Sequence, residues 1–258
     1  MMRFFVNKNP IFFWLGAVHL LVFLLLLLCF PLHEGIVLGI NALWKPIKFA
    51  LSIWIYSWTM ALILPHFEDK RKVKQYAYAA VVAMCFEQFA ITFQAFRGEL
   101  SHFNRTDAFG MLLFTLMGVF ILTITLWTAY MTYIFFKQKN YNLSPVVVLG
   151  IKIGLVYFTV FSLFGGYISS LQGHTIGAVD GGEGLPLLNW SVHFGDLRVA
   201  HFFGIHSLQI IPLSAILFDK YLDKNQSQKA TGLFSVLYLL FILFSLVQGL
   251  MGLSFVRF

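Results

Sequence analysis

Residues 11–30, IFFWLGAVHLLVFLLLLLCF, are an almost entirely apolar stretch that decides the class of this fold. A helix of about 20 apolar residues is long enough to cross the roughly 30 Å hydrocarbon layer of a membrane. Arg3 and Lys8 precede the stretch, as positive residues do in a signal peptide. Its apolar part is too long for a signal peptide, and no small-residue cleavage site follows. We therefore expect a retained transmembrane helix.

The chain as a whole is also rich in apolar residues. Of its 258 residues, 59% are hydrophobic and 11% are charged, whereas a soluble domain has roughly 25% charged residues. We expect residues 1–258 to form one integral-membrane domain, an all-α bundle of about seven transmembrane helices. The expected spans are about 11–30, 44–65, 76–96, 109–136, 145–172, 199–218 and 231–254. The two cysteines have no CxxC spacing and indicate no disulfide framework.

The distribution of Lys and Arg predicts the orientation, because cytoplasmic loops carry these residues in excess. One side would carry Arg3, Lys8, Lys70, Arg71, Lys72, Lys74, Lys137, Lys139, Lys220, Lys224 and Lys229. The other side would carry Lys45, Lys48, Arg97, Arg105, Arg198 and Arg257. The N-terminus is therefore expected in the cytoplasm and the C-terminus outside. Because orientation explains the net charge of +7, the charge indicates no nucleic-acid partner.

Most histidines fall in loops or helix ends that this orientation places outside. They are His33, His102, His174, His193, His201 and His206. Carboxylates accompany them: Glu34, Glu99, Asp107, Asp180, Glu183 and Asp196. Histidine and carboxylate side chains bind metals and transfer protons near neutral pH. The sequence therefore predicts a functional site on the outer side.

The segment between the fifth and sixth spans is rich in glycine and polar residues. Glycine permits tight turns, so the segment can fold compactly against the helices as a partly re-entrant lid. Asp180, Asp196 and Arg198 are its candidate catalytic groups. A divalent metal (Zn, Fe or Cu) would need ligands from several loops. Candidate ligands are His102, His174, His193 and His201, although a hydrogen-bonded structural role is open for each of them.

Ionisable residues at membrane depth are a second signal. Glu87 lies near the middle of the third span, where an ionisable group costs several kcal/mol unless it is paired or hydrated. We predict a functional role for Glu87, and the alternative is a neutral Glu bonded to a neighbouring helix. His19 and His206 are candidate axial ligands of a haem if they lie at equal depth. His206 also shares a helix face with Gln209, so the two side chains could line an interior path.

Basic residues at the outer helix ends are candidate contacts for an anion or a substrate. Lys45 and Lys48 flank Pro46 in the first turn of the second span, and Arg97 follows the third span. The lysines either snorkel to lipid phosphate or bind an anion together with the amides of the helix end. Both interpretations stay open.

Four strings carry a family resemblance: NALWKPIKF (41–49), RGELSHFN (97–104), GHTIGAVDGGEGLP (173–186) and GDLRVAHFFGIHSLQ (195–209). They resemble the motifs of an uncharacterised family of bacterial polytopic membrane proteins, and the resemblance covers most of the chain through the sixth span. It implies a multi-pass protein of the bacterial cytoplasmic membrane. It implies no activity, cofactor or substrate.

Three functions remain open from the sequence. The first is a metal-dependent enzyme that acts on a lipid or another apolar substrate at the outer face, and most candidate residues favour it. The second is a haem- or quinone-linked redox protein. The third is a proton-coupled transporter or channel with Glu87 and His206 as relay groups. Membrane lipids are the expected partners, and a homo-oligomer or a partner membrane subunit is possible in each case.

Overall fold

Seven long α-helices make up most of the chain in the computed structural model, which describes residues 9–104 and 107–256. They are α1 (Pro10–Cys29), α2 (Trp44–Ile63), α3 (Lys70–Phe96), α4 (Ala108–Lys137), α5 (Pro145–Ser170), α6 (Arg198–Tyr221) and α7 (Lys224–Leu250). Each is long and apolar enough to span a membrane. The all-α class and the seven spans are thereby confirmed, and the chain is a multi-pass membrane protein. Arg3, Lys8, Arg105 and Arg257 of the charge count lie outside the described residues.

Two helices begin earlier than the hydropathy of the sequence predicts. α3 begins at Lys70 rather than at residue 76, and the Asp69 side chain accepts a hydrogen bond from the Lys72 amide at 3.0 Å. α7 begins at Lys224 rather than at residue 231, after the N-cap residue Asp223. An N-cap fixes where a helix starts, whereas hydropathy marks only the part that lies in hydrocarbon. The charged first turns are therefore helical, although the sequence pattern does not show it.

Two short antiparallel strand pairs lie between the helices. Strands β1 (Ile36–Val37) and β2 (Ile40–Asn41) pair in the loop between α1 and α2. Strands β3 (Thr175–Ile176) and β4 (Gly195–Asp196) pair in the glycine-rich loop between α5 and α6. Since β4 ends two residues before α6 begins, this pair ties the glycine-rich loop to the start of α6.

The chain divides into two compact units, with a boundary inside α4 between Trp127 and Thr128. The N-terminal unit contains α1, α2, α3 and the first part of α4. The C-terminal unit contains the end of α4 together with α5, α6 and α7.

In the N-terminal unit, α1 and α2 approach closely at Gly16. A β-carbon at this position would collide with the indole of Trp58. The Trp58 ring stacks on the Phe13 ring with an interplanar angle of 4°, and its N–H donates to the Phe13 carbonyl at 3.3 Å. Small residues permit such contacts between membrane helices. Gly16 therefore sets the distance between α1 and α2.

In the C-terminal unit, α5 and α6 pack closely through Gly154. A β-carbon on Gly154 would lie 3.0 Å from the Ser207 carbonyl oxygen and 3.1 Å from Cδ of Pro212. The Ser207 hydroxyl lies 3.3 Å from the Gly154 carbonyl, to which it donates. This close packing fixes the depth of the α6 side chains relative to α5.

Candidate functional site

Glu87 is a carboxylate buried inside the N-terminal unit. Only 3% of its side chain is exposed. It lies on α3, nine residues before Phe96 ends the helix, which corresponds to about 14 Å along the helix axis. Glu87 is therefore an ionisable group at membrane depth, where such groups are rare and commonly functional.

The loop after α3 is held in a fold that returns towards the helix. Gly98 adopts a φ of 70°, and the Glu99 amide donates to the Gln94 carbonyl at 2.9 Å. The Gln94 side chain donates to the Leu100 carbonyl at 3.2 Å and accepts from Nη1 of Arg97 at 2.8 Å. Arg97, predicted as an anion-binding residue, thus helps to hold this loop in place.

His102 is the residue that this loop brings to Glu87. Its Nε2 lies 3.8 Å from Oε1 of Glu87, which is an electrostatic contact because the distance exceeds that of a hydrogen bond. The His102 ring lies 5.9 Å from the Phe49 ring of α2 and 5.8 Å from the Phe114 ring of α4. His102, predicted as a metal ligand, therefore sits among the helices of the N-terminal unit as the partner of Glu87.

The start of α2 supplies a cation near Glu87. Lys45 is the cation that interacts with the Glu87 carboxylate electrostatically. Gln88 follows Glu87 on α3, and its amide donates to the Pro46 carbonyl at 3.2 Å. Lys45 and Lys48 are both partly buried. At least Lys45 therefore has a protein carboxylate to interact with, in addition to any lipid phosphate.

Unsatisfied polar atoms concentrate in the N-terminal unit. Over residues 9–104 and 107–256, the buried side-chain atoms without a hydrogen-bond partner are His33 Nε2, Trp54 Nε1, Ser57 Oγ, Glu87 Oε2, Gln88 Oε1 and Ser254 Oγ. All but the last belong to the N-terminal unit. Buried polar groups are normally hydrogen-bonded, and exceptions mark functional groups, ordered water or bound ions. The interior of this unit therefore has capacity for further polar partners.

His19, predicted as a haem ligand, has its ring next to backbone groups. It is 2% exposed and lies on α1. Nδ1 lies 2.8 Å from the Leu15 carbonyl, and the backbone of Met84 on α3 also interacts with the ring. These contacts join α1 to α3, which matches the alternative of a histidine bonded to a neighbouring helix.

A tyrosine pair, which the sequence analysis did not single out, lies in the same unit. The hydroxyls of Tyr56 on α2 and Tyr76 on α3 are 2.5 Å apart. Both side chains are buried, and Phe12 contacts both rings. One signal was present in the sequence: Tyr76 precedes Glu87 by eleven residues, which places both on nearly the same helix face, about 20° apart.

In the C-terminal unit, Asp196 and Arg198 hold the glycine-rich loop together. The Asp196 carboxylate accepts from the guanidinium of Arg198 and from the Ser191 amide at 2.9 Å. Arg198 also donates to the Asn189 carbonyl. Both residues were predicted as catalytic groups, and these contacts assign them a part in the fold of the loop.

Asp180, like Asp196, accepts hydrogen bonds from residues of the glycine-rich loop. Its carboxylate lies 3.0 Å from Nδ1 of His174 and accepts from the Thr175 amide at 3.0 Å. Burial alone would raise the pKa of Asp180, but the hydrogen bonds from His174 and Thr175 outweigh it and hold the pKa below its usual range. Asp180 is thus a charged acceptor at neutral pH.

The remaining histidines of this unit have separate partners. His193 pairs with Glu183 at 3.0 Å on the surface of the loop. Nδ1 of His201 lies 2.8 Å from the Phe161 carbonyl of α5. Nδ1 of His206 lies 3.2 Å from Oε1 of Gln209, which confirms that these two side chains share a face of α6.

Each histidine predicted as a metal ligand has a partner of its own in the structure. Within the described ranges, no group of three or more His, Cys, Asp or Glu side chains could hold a metal ion. His174, His193 and His201 contact three different partners, and His102 belongs to the N-terminal unit. Spacing along the sequence could not show this, because the partners are set by how the loops fold and by how the helices pack, as for His201 of α6 and the Phe161 carbonyl of α5. The metal site and the haem both stay predictions.

Comparisons with protein-family models, with curated proteins and with solved structures found no match. The family resemblance of the four strings stays a prediction. The function therefore rests on the geometry of the chain itself.

Proposed function

We propose that this protein translocates protons across the membrane and that Glu87 binds and releases them. One observation carries the proposal, namely the surroundings of the buried carboxylate. Oε1 lies 3.8 Å from Nε2 of His102, and Oε2 has no hydrogen-bond partner among the described residues. A carboxyl group at membrane depth with so few fixed partners is unusual unless it serves a function.

Glu87 has suitable surroundings in both of its charge states. As a carboxylate it is attracted by Lys45 and by a protonated His102. As a neutral acid it needs no cation, and its proton can reside on Oε2. Because Oε2 has no hydrogen-bond partner among the described residues, a proton can arrive at it and leave it without breaking a network.

His102 is the group that would exchange protons with Glu87 on the outer side. Imidazole takes up and releases protons near neutral pH. The ring is partly exposed, and its Nδ1 lies 3.3 Å from the Ser101 hydroxyl, while Nε2 faces Glu87. A proton accepted at one ring nitrogen can thus be released from the other.

The orientation of this site follows from the distribution of positive residues, which favours an outer position for the His102 loop. The family resemblance of the four strings supports the bacterial cytoplasmic membrane as the location. Such a membrane carries a proton gradient that Glu87 and His102 would use.

The other two hypotheses have no comparable observation in their favour. A metal-dependent enzyme needs several ligands around one ion, and the candidate histidines have separate partners. A haem needs a ligand nitrogen, whereas the His19 ring is engaged by the backbone of Leu15 and Met84. We therefore favour proton translocation over both.

The proposal is tested by reconstituting the full-length protein in liposomes of phosphatidylethanolamine and phosphatidylglycerol that enclose a pH-sensitive dye. A potassium gradient and valinomycin set an inside-negative potential, and internal acidification is recorded. We expect wild-type liposomes to acidify faster than protein-free liposomes. Glu87→Gln should reduce the rate to that of protein-free liposomes, because the amide cannot carry the proton.

Glu183→Gln is the matched control, since the Glu183 side chain is 75% exposed on an outer loop. It should retain the wild-type rate. Infrared spectra on acidification should also show a protonated carboxyl band in the wild type that Glu87→Gln lacks. The proposal is wrong if the wild type acidifies no faster than protein-free liposomes, or if Glu87→Gln retains the wild-type rate.

A further inference from the structure

We infer that the proton route continues inward from Glu87 through His19 to the hydroxyl pair of Tyr56 and Tyr76. This inference rests on the proposed function and specifies its route through the N-terminal unit. It is carried by three buried polar elements that lie at successive depths along α3.

The first element is the face of α3 that carries Glu87. Three residues lie within about 40° of Tyr76 on one side of the helix, namely Ala80, Ala83 and Glu87. All three are buried, as is Tyr76. Between the two polar residues, α3 therefore presents only methyl groups on this face. Oε2 of Glu87, which has no hydrogen-bond partner in the part of the chain that the structure describes, marks the outer end of this strip as a place for a further polar partner.

The second element is His19, which reaches α3 one turn before Glu87. Its Nδ1 lies 2.8 Å from the Leu15 carbonyl, and the ring interacts with the backbone of Met84, which lies three residues before Glu87. A neutral imidazole has one N–H and can donate to only one of two acceptors, whereas the imidazolium ion donates to both. The Leu15 carbonyl and the Met84 backbone therefore act against the cost of burying a charged His19 ring.

The third element is the hydroxyl pair near the inner end of the unit. Tyr76 lies six residues after Lys70 begins α3, or about 9 Å along the axis. Its hydroxyl is 2.5 Å from that of Tyr56. The Phe12 ring contacts both tyrosine rings, at 5.9 Å from Tyr56 and 5.8 Å from Tyr76. A buried hydroxyl pair can pass a proton by accepting one and donating another.

Ordered water would complete the route between these elements. Trp54 Nε1 and Ser57 Oγ on α2 lack hydrogen-bond partners among the described residues. They lie about 15 Å and 20 Å along α2 from its outer end at Trp44, at depths comparable with that of Glu87 or deeper. Buried water commonly occupies sites with such unsatisfied groups.

Each step transfers one proton and changes no other bond. Glu87 releases its proton to His19 through water and becomes a carboxylate, and His19 becomes an imidazolium ion. His19 then releases a proton inward and returns to neutral imidazole. The Tyr56–Tyr76 pair accepts that proton and donates one of its own to water on the inner side, so the hydroxyls are unchanged.

Tyr76→Phe tests the route in the liposome assay, because it removes the hydroxyl and keeps the ring. We expect the acidification rate to fall at least about tenfold, as for removal of a proton-transfer group. His19→Asn should lower it similarly. Tyr78→Phe is the matched control, since Tyr78 lies on the same helix and is 54% exposed; it should retain the wild-type rate.

Infrared spectra separate the two proposals. If the route is correct, Tyr76→Phe still shows the protonated carboxyl band of Glu87 but no longer passes protons inward. If Tyr76→Phe and His19→Asn acidify at the wild-type rate while Glu87→Gln does not, the route is wrong and the proposed function stands. If Glu87→Gln also acidifies at the wild-type rate, the proposed function fails. Should Tyr76→Phe not elute as a folded protein, Tyr56→Phe removes the same hydrogen bond from α2.

Discussion

Asp196 and Arg198 form a two-pronged ion pair at the start of α6. Nε of Arg198 donates to Oδ1 of Asp196 at 2.9 Å, and Nη2 donates to Oδ2 at 2.6 Å. The Asp196 side chain is fully buried, whereas 26% of the Arg198 side chain is exposed. Removing one partner of a buried pair leaves an uncompensated charge, which costs more free energy than the pair itself contributes.

Arg198→Ala should therefore lower the free energy of unfolding by about 3 kcal/mol. Thermal unfolding in detergent, followed by tryptophan fluorescence, would show this as a clear drop in Tm. Arg198→Lys should have a Tm between those of the wild type and Arg198→Ala, because it keeps the charge but loses the two-pronged contact. Glu183→Ala is the control, since it removes only an exposed pair, which contributes about 0–1 kcal/mol. Equal Tm shifts for Arg198→Ala and Glu183→Ala would contradict this prediction.

Asp180 should make the stability of the glycine-rich loop sensitive to acid. Its pKa lies below the ordinary value of 3.8, so the folded protein binds this proton less tightly than the unfolded chain. The resulting stabilisation is complete above the ordinary value and is lost as pH falls through the lowered folded value. The Tm difference between wild type and Asp180→Asn should therefore be constant from about pH 6 to 5 and narrow below about pH 4.

The effect of Asp180→Asn on Tm should also be measured in a His174→Asn background. Because the contacts with His174 help to lower the pKa of Asp180, Asp180→Asn in that background should change Tm less. A Tm difference between wild type and Asp180→Asn that persists unchanged down to about pH 3 would show that Asp180 is not a charged acceptor with a lowered pKa.

Gly195 should tolerate no side chain. It lies in β4, and a β-carbon there would collide with the Gly249 carbonyl at the end of α7. Gly195→Ala must therefore move the loop away from α7, and we expect a fall in Tm and faster proteolysis of the loop. Gly182→Ala is the matched control, because a β-carbon at Gly182 meets no described atom within 4 Å. If both variants are cleaved at the same rate, the contact between the loop and α7 is not required.

The helices of this chain could be predicted from the sequence because the signal is local. About 20 consecutive apolar residues identify a transmembrane helix without reference to any other part of the chain. The starts of α3 and α7 were predicted too late, because Asp69 and Asp223 cap helices whose first turns are charged. Glu87 was identified for the same local reason, as one ionisable residue within an apolar span.

The partners of the candidate site could not be predicted, because they depend on contacts between distant parts of the chain. His19 meets Met84 on another helix, and His102 meets Glu87 through a loop that folds back. Hydrogen bonds to backbone carbonyls, such as that from His201 to Phe161, leave no trace in residue types. Grouping histidines by loop therefore could not identify the partner of each side chain.

The orientation can be checked independently of any activity. With seven spans we expect the two ends of the chain on opposite sides of the membrane, and the excess of Lys and Arg predicts that the N-terminus is cytoplasmic. Alkaline phosphatase fused after Phe258 should therefore be active in a bacterial host, because it folds only outside the cytoplasm. Green fluorescent protein at the same position should stay dark, since it does not fold there after export in an unfolded state. The same reporters fused within the inner loop after Phe67 should give the opposite result. If the green fluorescent protein fused after Phe258 is fluorescent, the predicted orientation is wrong. His102 and the outer end of the proposed proton route would then lie on the cytoplasmic side.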